Sequence, residues 1–262
     1  MDLRGATALV TGANRGIGRA LVERLAAEPL ELVIAAVRDP DAFEPVAGVA
    51  AVLPVKLDLS SREQIDADCD AIGDLLGTVD LLVNNAGLLT GGLLEEQDMA
   101  EVYAMFQVNL LAVAHMTQRV LPGMLARSHG KVVNNSSISG YAYFPGASTY
   151  AASKAGVVAL TESLRRELAD TGVSAMHVVT PGVKTDMLDA TRATYGRYMD
   201  TSGWDEVTPE EWASRIVRAV ERDDAILGPG GKTAFAKLAS RGPAFLLDAV
   251  SSRMFSRDAS ER

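Results

Sequence analysis

Ala6-Thr7-Ala8-Leu9-Val10-Thr11-Gly12-Ala13-Asn14-Arg15-Gly16-Ile17-Gly18 is the stretch whose reading decides the fold: a short apolar run, a turn carrying three glycines, then a segment of helical period. An apolar run this short reads as a buried strand. Glycines at its end let the backbone turn sharply and come close to a bound pyrophosphate. A helix opening there offers free N–H groups and the positive end of its dipole to the same anion. The spacing is Gly-x-x-x-Gly-x-Gly, not the commoner Gly-x-Gly-x-x-Gly.

Outward from this turn, short apolar runs alternate with longer helical ones. The runs at 6–10, 32–37, 51–57, 81–84, 131–135, 174–179 and 225–227 read as strands, and 16–27, 62–76, 102–126, 149–170 and 209–222 as helices. Strands alternating with helices build a parallel sheet covered on both faces, so the pattern predicts an α/β, doubly wound, seven-stranded Rossmann sheet. No repeat or linker divides it, and residues 1–262 read as a single domain. Residues 187–205 break the rhythm, as a substrate lid or binding loop would. The C-terminal extension, 228–262, is basic and mildly apolar; a packed extra helix and a membrane-touching segment both fit it.

Composition excludes several function classes. A formal charge of −9 with no basic stripe argues against a nucleic-acid surface. Cys69 is the only cysteine, and the three histidines, His115, His129 and His177, show no ligand spacing, so no metal site is expected. No apolar run approaches the ~20 residues that span a bilayer. With no signal-like N-terminus and no disulfide possible, the expected location is cytoplasmic.

Tyr150 and Lys154, in Ser-Thr-Tyr-Ala-Ala-Ser-Lys-Ala-Gly, stand four residues apart and so share one face of a helix. A tyrosine hydroxyl of pKa near ~10 is a sluggish acid, and a fixed ammonium beside it favours the phenolate. The spacing therefore predicts a lysine-tuned proton donor. Y-x-x-x-K alone is a common coincidence; its setting makes it informative.

That setting resembles the short-chain dehydrogenase/reductase family in its ordinary, non-extended subtype. The resemblance rests on the Gly12, Gly16 and Gly18 turn, Asp58-Leu59 after the third strand, Asn84-Asn85-Ala86-Gly87 after the fourth, Asn109, Ser137, the Tyr150/Lys154 pair, and Pro181-Gly182 after the sixth, in the family's order across residues 6 to about 186. It implies that Tyr150 is the general acid/base, that Lys154 lowers its pKa and holds the nicotinamide ribose, that Ser137 hydrogen-bonds the substrate oxygen, and that Asn109 anchors a proton-relay water. Ser136 and Ser139 are rival serines; spacing to Tyr150 favours Ser137. The cofactor would lie against Gly12, Asn14, Arg15, Gly16, Ile17, Gly18, Asp58, Leu59, Asn85, Ala86, Gly87, Pro181, Gly182, Val183 and Thr185. Two departures stand out. Only Val183 and Lys184 separate Pro181-Gly182 from Thr185, one fewer than usual, and Asn135 replaces a commoner aliphatic residue in the fifth strand.

Val37-Arg38 at the end of the second strand, with Arg15 across from it, suits a 2′-phosphate and predicts NADP(H) over NAD(H). Asp39 would face the ribose instead if that strand ran one residue further. Tyr141, Tyr143, Phe144, Met187, Leu188, Tyr195, Tyr198, Met199 and Trp204 make an apolar wall for a hydrophobic ketone, aldehyde or alcohol, with Tyr143, Phe144, Met187 and Tyr195 as chosen substrate contacts. Two other readings stay open: a 3-oxoacyl reductase of lipid synthesis, and a non-catalytic NADPH-binding sensor. The resemblance also implies a homodimer or homotetramer.

Overall fold

A computed structural model describes residues 1–198, 201 and 206–229. Among the described residues nine strands run in chain order: β1 (Thr7–Thr11), β2 (Leu32–Val37), β3 (Ala51–Lys56), β4 (Leu81–Asn84), β5 (Gly130–Ser137), β6 (Val173–Thr180), β7 (Gly182–Val183), β8 (Glu206–Val207) and β9 (Ile226–Leu227). Seven of them form one parallel sheet, ordered β3-β2-β1-β4-β5-β6-β9. The chain winds outward from β1 to β3, returns beside β1 as β4, and winds the other way. That reversal opens a crevice beyond the carboxyl ends of β1 and β4, where such sheets bind ligands.

The helices are α1 (Gly16–Ala26), α2 (Arg62–Ile72), α3 (Met99–Phe106), α4 (Ala112–Arg127), α5 (Ser148–Glu167), α6 (Asp186–Tyr195) and α7 (Pro209–Glu221). Leu21, Leu25, Trp212 and Ile216 of α1 and α7 cover one face of the sheet; Ile65, Met116, Val120 and Leu164 of α2, α4 and α5 cover the other. Burial on both faces explains why β1, β2 and β4 are nearly continuous apolar runs. β3 is the exception, half exposed at the sheet edge, where its Pro54 is tolerated. The starts of two helices were written in the sequence. Ser61 accepts a hydrogen bond from Gln64 N (3.1 Å) and Thr208 from Glu211 N (3.2 Å), the latter with Pro209 in the first turn.

Two helical expectations need correction. The helix expected over 62–76 stops at Ile72 because Gly73 takes φ 62°, and a 3₁₀ turn (Gly73–Thr78) follows. The helix expected over 102–126 starts earlier, at Met99, where Asp98 caps Ala100 N (2.8 Å), and a π-helical turn (Gln107–Leu111) divides it into α3 and α4. The 187–205 insertion contains α6, and its ends are stitched by a parallel pairing of β7 with β8, Gly182 opposite Glu206 and Val183 opposite Val207. Glu206 also pairs with Lys184 (3.7 Å) and with Arg192. Met199, Trp204 and all but the first two residues of the 228–262 extension lie outside the described residues.

Candidate active site

The glycine turn has room for nothing larger. Gly12 has φ +66°, and a Cβ there would stand 2.9 Å from Ala86 Cα; one on Gly18 would meet Gly12 O at 2.0 Å and Asn85 Nδ2 at 2.7 Å. Gly16, at φ +54°, faces Thr185 Cγ2 at 3.1 Å from its would-be Cβ, so the shortened segment after Pro181-Gly182 still brings Thr185 over the turn. Thr11, at the end of β1, holds the two crevice walls together. Its hydroxyl accepts from Asn85 N and Ala86 N, both at 3.0 Å, and its carbonyl accepts from Asn85 Nδ2 at 3.0 Å. The first turn of α1 has no side-chain cap, which leaves its N–H groups to a bound anion. This tight, uncapped cradle fits a pyrophosphate.

β2 ends at Val37, so Arg38 stands exposed just beyond it, and Asp39 turns back to accept from Asp41 N (3.2 Å). Asn14 and Arg15 are exposed on the turn, and Arg15 reaches Asp186 at the start of α6 (3.2 Å). Asp58 accepts from Ser60 N (2.9 Å), its own N–H is held by Asp68 (2.8 Å), and Leu59 is buried beside it.

Tyr150 and Lys154 lie on α5, both buried, with the ammonium 5.9 Å from the phenol ring centre. Lys154 Nζ donates to Asn135 O (2.9 Å) and would stand 3.7 Å from a Cβ on Gly87. Ser137, the last residue of β5, lies near enough to the Tyr150 hydroxyl to act on its acidity, and its Oγ accepts from Ser139 N (3.2 Å). Ser136 instead donates to Lys154 O (2.9 Å), and Ser139 serves only the turn. The expected lowering of the phenol is not what burial produces. Desolvation pushes Tyr150 up to about 12, with Ser137 nearby pulling the other way, and the same burial pushes Lys154 down to about 8.

Asn109 sits in the π-helical turn. Its amide oxygen accepts from Leu88 N (2.8 Å) and its amide nitrogen donates to Leu88 O (2.9 Å) and Ser153 Oγ (3.2 Å). The side chain is thus committed to holding the Gly87–Leu88 segment against α5. Asn135, which had no nameable partner in the sequence, has two: it donates to Asn85 Oδ1 (3.2 Å) and accepts from Thr180 Oγ1. Thr180 accepts in turn from Trp212 Nε1 (3.2 Å). A second buried chain went unread: Asn84 Nδ2 donates to Thr117 Oγ1 (3.2 Å) and to Asn134 Oδ1 (2.8 Å), and Asn134 Nδ2 donates to Thr161 Oγ1 (2.9 Å). Asn84 and Asn134 lie opposite each other in register. The only sequence sign of either chain was amides at positions of otherwise apolar strands.

On the substrate side, Tyr195 and Ala147 are buried together, with Leu89 and Phe144 packed against them. Tyr143 and Met187 are exposed and stand apart from that cluster. Pro181 and Gly182 are half-buried and Val183 buried at the end of β6, level with the turn.

A family model described as short chain dehydrogenase matches residues 6–196. The chain is 33% identical to the ketoacyl reductase HetN of a Nostoc species over 227 residues, 84% of this chain and 76% of that protein. It is 36% identical over 198 residues to the 3-oxoacyl-[acyl-carrier-protein] reductase FabG of Vibrio cholerae, 72% and 78% of the two. The solved structure of a short chain dehydrogenase from Burkholderia cenocepacia in complex with NADP superposes with a TM-score of 0.81 at 26% identity, covering 96% of this chain and 99% of that one.

Proposed function

Because the chain belongs to the short-chain dehydrogenase family, we propose that it is a single-domain, NADP(H)-dependent oxidoreductase that interconverts a hydrophobic ketone or aldehyde and its alcohol. Enzymes of this family act on C=O and CH–OH groups, and the B. cenocepacia relative of the same fold was solved with NADP. Ser137, Tyr150 and Lys154 carry the reading, because the ends of β5 and α5 bury them together opposite the glycine cradle.

Gly12, Gly16, Gly18 and the first turn of α1 would hold the pyrophosphate, Asn85 to Gly87 and Val183 to Thr185 would flank the nicotinamide half, and Arg15 and Arg38 would take the 2′-phosphate. The bound nicotinamide supplies or accepts the hydride. Ser137 and Tyr150 hold the substrate oxygen between two hydroxyls, and their donors become stronger partners as that oxygen gains negative charge. With Tyr150 near 12 and Lys154 near 8, the pair at neutral pH is a protonated phenol beside an ammonium, the state that can donate. Tyr150 gives its proton to the oxygen, and the Lys154 charge stabilises the phenolate left behind. Alcohol oxidation runs the same transfer backwards. Asn109 acts as a positioning residue through Leu88 and Ser153.

NADPH oxidation against a panel of carbonyl compounds tests this reading. Tyr150→Phe is expected to lower turnover on the order of a hundredfold or more with NADPH affinity nearly unchanged. Full activity in that variant would sink the mechanism, and a clear preference for NADH would overturn the cofactor assignment. The names of the Nostoc and Vibrio relatives favour one second reading, a 3-oxoacyl thioester substrate, so such a thioester belongs in the panel. No helix among the described residues is long and apolar enough to cross a membrane. We assign the protein to the cytoplasm on its single free thiol, and to a homo-oligomer on the exposed Tyr103 of α3, Leu111 of the π-helical turn and Leu125 of α4.

A further inference from the structure

Two tyrosines of the 186–198 segment lie buried on a bed of glycines. Tyr195 and Tyr198 are each 4% exposed. A Cβ on Gly91 would meet Tyr195 Cε1 at 2.6 Å and its hydroxyl at 3.1 Å; one on Gly146 would stand 3.5 Å from Tyr198 Cδ2 and 3.8 Å from Tyr195 Cδ1. Gly91 follows β4 and Gly146 precedes α5, and Gly92 N joins the two loops by donating to Gly146 O (2.8 Å). The bed is braced from below. Tyr198 donates to Glu96 (2.6 Å), Gln97 donates to Gly92 O (2.9 Å), and Thr149, next to the catalytic tyrosine, donates to Gln97 (2.6 Å). Tyr195 therefore cannot retreat toward the protein, and its ring fills the space among Leu89, Phe144 and Ala147, three residues before Tyr150. Burial raises the phenols of Tyr195 and Tyr150 alike, so both lie in desolvated surroundings.

We propose that Tyr195, latched through Tyr198 and Glu96, is a specificity wall: of the two groups on the substrate carbonyl, the one directed at Leu89 and Ala147 must be small, so the substrates are methyl ketones, aldehydes and the matching alcohols. This rests on the oxidoreductase reading above and narrows it. A close-packed wall rejects added methylenes because the cluster has no room to yield.

The octanone isomers whose smaller substituent is methyl, ethyl or propyl test it, since they share one formula and one overall hydrophobicity. With NADPH, kcat/KM is expected to fall about tenfold or more from the methyl to the propyl isomer, the usual scale for a methylene in a tight pocket. Tyr195→Ala removes most of that gradient, and Tyr195→Phe, which keeps the ring, preserves it. NADPH affinity, read by fluorescence titration, stays at the wild-type value in both and shows that they are folded. A gradient in Tyr195→Ala equal to that of wild type, or no gradient in wild type, refutes the wall alone. A wild-type protein that binds NADPH but reduces no carbonyl in any panel refutes the oxidoreductase reading, and the wall with it.

Discussion

Burial, rather than the neighbouring charge, dominates the resting state of the Tyr150 and Lys154 pair. Lys154 titrates near 8 when folded and at 10.5 in its ordinary state, so between these values the unfolded chain binds more protons at this residue and stability climbs with pH. Tyr150, raised to about 12, works in the opposite direction above 10. Between pH 8 and 10, denaturant titrations should show wild type gaining on the order of 2 kcal/mol relative to Lys154→Met, in which that titration is gone. A flat difference across this window would mean that the lysine is not desolvated. Sequence spacing found the pair, but it could not find the sign of the tyrosine shift, because desolvation depends on elements that close over α5 from elsewhere in the chain. Asn135 is similar. Its partners, Asn85 just beyond β4 and Thr180 at the end of β6, come from elsewhere in the chain, and nothing within its own strand announces them.

Among the elements, the glycine turn is the least forgiving. Gly18→Ala would put a methyl group 2.0 Å from Gly12 O, inside any possible contact, so the turn must open. The expected outcome is an NADPH dissociation constant raised about a hundredfold, measured by fluorescence titration, with a stability loss of about 1–3 kcal/mol from overpacking. Near-native affinity in that variant would show that the cradle can relax. At Leu32–Val37 and Leu81–Asn84, apolar on both faces, the periodicity matched the observed bounds, whereas β1, expected over 6–10, runs one residue later, to Thr11. The break between α3 and α4 was invisible because a π-helical turn inserts one residue without disturbing the apolar pattern enough to register. That inserted turn is where Asn109 is aimed across at Leu88, so the irregular piece is also a site piece.

For the molecule as a whole, the chain of side chains from Thr117 through Asn84 and Asn134 to Thr161 ties α4 to α5 through the middle of the sheet. Every member is buried, so breaking the chain leaves polar groups without water to replace the lost partner. Asn134→Ala should cost about 1–3 kcal/mol for each group it orphans in urea unfolding. Asn84→Leu combined with Asn134→Leu should cost less than the two single changes added together, since the pair then leaves no unmatched amide between them. Additive costs would mean that the two amides do not act together.

The pairing of β7 with β8 brings the chain out of the sheet and back at nearly one point, Gly182 opposite Glu206. Whatever lies between those two strands is therefore a cassette. Its closure entropy is met locally by the stitch and grows only slowly with length, so residues can be inserted, removed or exchanged there without rethreading any of the seven strands beneath. Beyond Thr185, which packs over the glycine turn, that segment can be rewritten while the turn and Tyr150 stay in place.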